Sequence, residues 1–138
     1  MSEILRSWLL TNGVAVTMSD ESIHITPDSW NVRLSIKATI EVRKDYIDDF
    51  EDDHDYLEIL STILPVAEYC RDIVKAGVRT NRLEAEKLFL IEAFEKDVLF
   101  YFERDDFPQR YVRNLYKELE KKISATRAIR EKRSDAFI

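Results

Sequence analysis

The chain of 138 residues is 45% apolar and 35% charged, carries a net charge of −6 and contains one cysteine. That length suits one domain with a core that needs no staples, the lone Cys70 excludes an internal disulfide, and no apolar run approaches the roughly 20 residues that span a bilayer. The charge is segregated: residues 1–107 hold twelve Lys/Arg against twenty-three Asp/Glu, whereas 108–133 hold nine Lys/Arg against three Glu.

In chain order, Ser2 to Thr11 reads as a short helix ended by Asn12-Gly13. Glu3 and Arg6 break up its apolar pattern, so nothing there reads as a leader, and with a single cysteine the expected setting is the cytoplasm. Val14, Val16 and Met18 alternate as a short strand, Ile23 and Ile25 make a second, and polar turns follow each. From Trp30 to Val42 every second residue is apolar: Trp30, Val32, Leu34, Ile36, Ala38, Ile40 and Val42, with polar residues between. This predicts a long half-buried strand over about 30–43. At 3.3 Å per residue it spans about 43 Å, more than the two short strands can cover. Some of its backbone groups therefore need another partner, supplied by a bulge or bend that divides the strand between two neighbours of the same chain, by the segment Val98 to Glu103, by a second copy, or by a target peptide.

Seven carboxylates crowd Asp45 to Asp55. Asp55 and Glu58 then have capping-box spacing, and a helix is expected over about 56–76, with Leu57, Leu60, Leu64, Ala67, Cys70 and Val74 facing inward. Pro65 should kink or split it, and Gly77 should close it. Asn81 with Glu84 opens a second helix, about 82–104, although Val98 to Glu103 also has strand composition. Pro108 suits the first turn of a third helix, about 108–130. Arg130 and Arg133 continue its inward face, so a basic end at about 127–138 should project from the core. The expected architecture is a single α+β domain: a short N-terminal helix, a three-stranded antiparallel meander, then three helices.

Four groups of residues are candidate sites. Asp48, Asp49, Asp52 and Asp53 form an acidic loop that is a solvated connection, a protein contact or, least in keeping with its spacing, a cation site. Arg110, Arg113, Lys117 and Lys121 form a basic ridge that can stay solvated, contact phosphates, or pair with the acidic loop of this chain or of a copy. Arg33 and Lys37, on the wet face of the long strand, and Phe100 and Phe102, in an aromatic-rich stretch, are candidate protein-interface residues. No catalytic residue, metal site or cofactor is read from the pattern. Cys70 falls on an apolar stripe as an inert thiol, His24 and His54 are isolated, and two glycines cannot build a phosphate loop. The expected function is a non-enzymatic protein-interaction module, an adaptor, chaperone-like binder or inhibitor that works as a homodimer. The alternative is a nucleic-acid-associated regulator using the basic helix, which the acidic whole chain disfavours. No membrane partner is expected.

Overall fold

A computed structural model describes residues 3–136; Ser2 of the expected first helix and residues 137–138 of the basic end lie outside it. Five strands, β1 (Glu3–Leu9), β2 (Ala15–Asp20), β3 (Ile23–Thr26), β4 (Ser29–Glu41) and β5 (Val66–Arg79), form one antiparallel sheet. Four helices, α1 (Tyr56–Ile63), α2 (Leu83–Asp97), α3 (Leu99–Glu103) and α4 (Phe107–Ala136), accompany it. The class is α+β, as the sequence predicts.

The long strand is β4, and its pairing is complete within the chain. β2 and β3 lie end to end along one edge, with Ala15 opposite Thr39 and Ile23 opposite Asn31. Between them the Glu21 N–H donates to the Arg33 carbonyl at 2.8 Å. β5 covers the other edge from Ser29–Arg79 to Glu41–Val66. β1 adds outside β2. Val32, Leu34, Ile36, Ala38 and Ile40 of β4 are buried on one face. Val16 and Met18 of β2, Ile59 and Ile63 of α1, Ile91 and Phe94 of α2, Phe102 of α3, and Val112 and Tyr116 of α4 join the same core. Each such side chain contributes roughly 1.5–3 kcal/mol by leaving water.

Several expectations are corrected. The first segment is a strand: a bulge between Ile4 and Arg6 shifts its alternation and produces spacings that mimic a helix. The helix expected over 56–76 stops at Ile63. Pro65 forces the preceding Leu64 into extended backbone (φ −78°, ψ 150°), and the chain enters β5 directly. Val98 to Glu103 supplies no strand; it becomes α3 after a break at Val98 divides the helix expected over 82–104. The last helix runs beyond both expected ends. Neither Asp55 nor Asn81 makes a side-chain cap: the residues at the N-cap positions of α1 and α2 are Asp55 and Arg82, without cap hydrogen bonds.

Gly77 does not close a helix. It sits in β5 with φ +68°, where the register against β4 slips between Trp30 and Val32, and its N–H donates to Asn31 Oδ1 at 3.3 Å. This is a bulge that needs left-handed backbone, which glycine adopts without a Cβ clash.

Ion pairs fasten α2 to the sheet. Lys87 reaches Asp20 at 2.6 Å, with both side chains largely buried, and Lys75 of β5 reaches Glu86 at 2.6 Å. Burial raises the Asp20 pKa, but hydrogen bonds from Lys87 and Ser22 outweigh it and hold the carboxyl below its ordinary value.

Candidate protein interface

Two single 3-10 turns, Lys44–Tyr46 and Asp48–Phe50, follow β4 and lay the acidic segment against α4. Ile47 anchors it as a fully buried side chain. On α4, residues 113, 116, 120 and 127 fall within about 60° of one another at 100° per residue, so one side of the helix meets the segment along its length. Arg113 takes Asp49 in a fork, Nη1 to Oδ1 at 2.6 Å and Nη2 to Oδ2 at 2.9 Å. Its Nη1 also donates to the Tyr46 carbonyl at 3.1 Å, and its guanidinium lies 4.6 Å from the Phe50 ring centroid. One turn on, the Tyr116 ring stacks on Phe50 at 4.4 Å and its hydroxyl donates to Asp53 Oδ2 at 3.1 Å. Three turns further, Arg127 Nη2 donates to Asp55 Oδ1 at 2.5 Å.

The titration of these groups follows the geometry. The Arg113 hydrogen bonds hold the Asp49 carboxyl below its ordinary value, and the same bonds raise Arg113. Burial, with Asp53 beside it, raises the Tyr116 hydroxyl. Glu120 is also raised, by burial and then by Asp53 and Asp55, so negative charge remains in excess where the segment meets the helix.

The rest of α4 is different. Leu115, Leu119 and Ile123 are half-buried, and every residue from Ser124 to Lys132 is exposed. The expected basic ridge is thereby divided. Arg113 is engaged by Asp49, and Arg110 by Asp106 at 3.3 Å one turn earlier. Lys117 and Lys121, together with Lys122, Arg130 and Lys132, make no ion pair among the described residues. A groove of about 350 Å³ opens between α1 and the start of the free end, lined by Glu58, Lys122, Ile123, Thr126, Arg127 and Arg130. In the acidic segment, Asp48 and Asp52 are exposed and unpaired among the described residues, as is Glu51. Of the four acidic-loop candidates, α4 takes Asp49 and Asp53, and Arg127 takes Asp55 beyond them.

The other candidates fall elsewhere. Arg33 and Lys37 lie on the uncovered face of the sheet, in its interior rather than on an edge. Arg33 meets Asp72 at 2.5 Å and Lys37 meets Glu68 at 3.1 Å, both across to β5. Phe100 is about half exposed and stacks on Tyr101 at 4.3 Å. Phe102 offers no surface: it is buried against Phe94, Tyr69 and Phe107. Cys70 is exposed on β5 instead of lining a helix. His24 stacks on Trp30 at 4.5 Å, and His54 is exposed in the acidic segment.

The unpaired side of β5 does not suit a second β5. In an antiparallel two-fold pairing, residues directly opposite share a face. A centre at Cys70 sets Glu68 against Asp72, and centres at Arg71 or Asp72 set each against itself. A centre at Ile73 sets Arg71 against Lys75. All four place like charges opposite one another. With the Gly77 bulge, these charges guard the edge.

Tyr116, Phe50 and Glu120 are not singled out by the sequence pattern, and Arg127 enters there only as part of the basic end. Their signal was present as spacing: Tyr116 and Glu120 follow Arg113 at three and seven residues, the repeat of one helix face. What the spacing lacked was the course of the acidic segment. Compared with protein families, curated proteins and solved structures, the chain matches none.

Proposed function

We propose that the protein works by binding another protein, as a small accessory module of the adaptor, chaperone-like or inhibitor kind, and that it does so without catalysis. One observation carries this reading: α4 continues as helix for more than two turns past Ile123, its last half-buried residue, and presents unengaged cations there. A helix end of this length contributes little stability by itself, because short helices are marginal in water without a packed face. A partner that covers it supplies that face.

The experiment compares the full chain with a version ended after Thr126. The shortened chain should lose only the helical far-UV signal of the residues removed and melt within about 2 °C of the full chain, since every described side chain it loses is exposed. In pull-downs from the native host, the full chain should retain a protein that the shortened one does not. Identical recoveries would sink the proposal. The unengaged Lys117 and Lys121 support a second reading, a nucleic-acid-associated regulator. Its mark is low-salt affinity for a short duplex that disappears when both lysines become Glu.

A further inference from the structure

We infer that the partner of the free α4 end is a second copy of this chain, whose exposed acidic segment receives it. The inference rests on the protein-binding reading above and names its occupant.

α4 already shows which chemistry it binds. Along its clasped part, from Arg113 to Arg127, it holds Asp49, Asp53 and Asp55 of its own acidic segment. That contact leaves charge on both sides. Asp48, Glu51 and Asp52 face solvent with no cation paired to them among the described residues, and Lys121 and Lys132, about 20° apart on one side of the helix, stand there with no carboxylate. Within one chain the two sets stay apart: Lys132 lies five residues, about 8 Å, beyond Arg127, which takes the segment's last carboxylate, Asp55. Two chains can bring them together. The clasped stretch, 113–127, covers about 21 Å and the free end beyond it, 128–136, about 14 Å, at 1.5 Å per residue. With the two α4 helices antiparallel about a two-fold axis, each free end reaches the other copy's acidic segment, and both contacts form at once.

The test is a charge swap read by sedimentation and light scattering at micromolar concentrations. Wild type should be dimeric at about 30 mM salt and dissociate at least about tenfold more readily at about 500 mM, where screening is severe. Lys121→Glu with Lys132→Glu should be monomeric, as should Asp48→Lys with Asp52→Lys. All four positions are exposed, so each variant should keep the wild-type far-UV spectrum. Mixing the two variants should restore one dimeric species, because each then supplies the charge the other lost. Wild type with the mass of one protomer throughout at low salt would overturn the inference. So would a dimer that ignores both variants, or a mixture that stays monomeric. If wild type is monomeric while the full chain alone captures a host protein, the occupant is wrong and the protein-binding reading survives.

Discussion

The two halves of α4 have the same backbone and opposite surroundings. From Phe107 to Ile123 the helix lies on the core and grips the acidic segment; from Ser124 to Lys132 every side chain is exposed, and of these only Arg127 is engaged, by Asp55. The first half shows that a charged helix can be immobilised when each cation finds a geometrically matched carboxylate. The second shows the same residue types left available. What separates structural from available charge here is the placement of a neighbouring segment, together with the loss of large apolar residues: seven in 107–123 against Ile129 alone in 124–136.

The largest effect should come from removing the joint of the clasped half. Tyr116 is fully buried, stacks on Phe50 and donates to Asp53, so Tyr116→Ala should cost about 3–5 kcal/mol in denaturant unfolding. A loss below 1 kcal/mol, on the order of an exposed substitution, would show that the clasp does not belong to the core. Arg113→Ala should act locally. Amide exchange across residues 44–55 should speed up by about tenfold, with β4 unchanged. Equal protection in both proteins would mean that Ile47 alone holds the segment.

The smallest effect sharpens the electrostatic contrast. Glu120 has a raised pKa in the fold, so its ionised form is disfavoured there; it subtracts stability at neutral pH and stops doing so as pH falls through the raised value. Glu120→Gln should therefore raise the melting temperature at pH 7 by about 1–2 °C and leave it unchanged near pH 4. Asp49 has the opposite sign. Its lowered pKa gives stability that is present above the ordinary carboxylate value and lost as pH falls through the depressed one. A Gln variant that gains stability equally at both pH values would contradict this assignment.

How much was legible in the sequence differs strand by strand, for physical reasons. β4 is a central strand with one dry face, so burial imposed a strict two-residue alternation that nothing else produces. β5 lies at the edge and has charges on both faces, Arg71 and Lys75 on the inner one and Glu68 and Asp72 on the outer. That pattern let a helical stripe through Ala67, Cys70 and Val74 look equally good. Gly13 and Gly77 were read as helix ends because they mark left-handed backbone, and both do adopt positive φ. A hairpin turn and a bulge require the same backbone as a helix end, so the glycine signal was sound and its context was missing. The candidate site was half legible. The opposed charges were plain, but which carboxylate meets which cation depended on two 3-10 turns that have no sequence period.

Asn12 sets the order in which this molecule can be assembled. Its amide nitrogen donates to the carbonyls of Phe102 and Arg104 at 2.6 and 2.8 Å, and its Oδ1 accepts the Val14 N–H at 3.1 Å. One short side chain thus ties the first hairpin to the corner between α3 and α4, across 90 positions of chain. On a ribosome adding about 5–20 residues per second, the hairpin is made roughly 5–18 s before its latch has been synthesised. During that interval β4 and then α2 are made, so Trp8 of β1 gains Phe94 as a neighbour before the corner that fixes the hairpin exists.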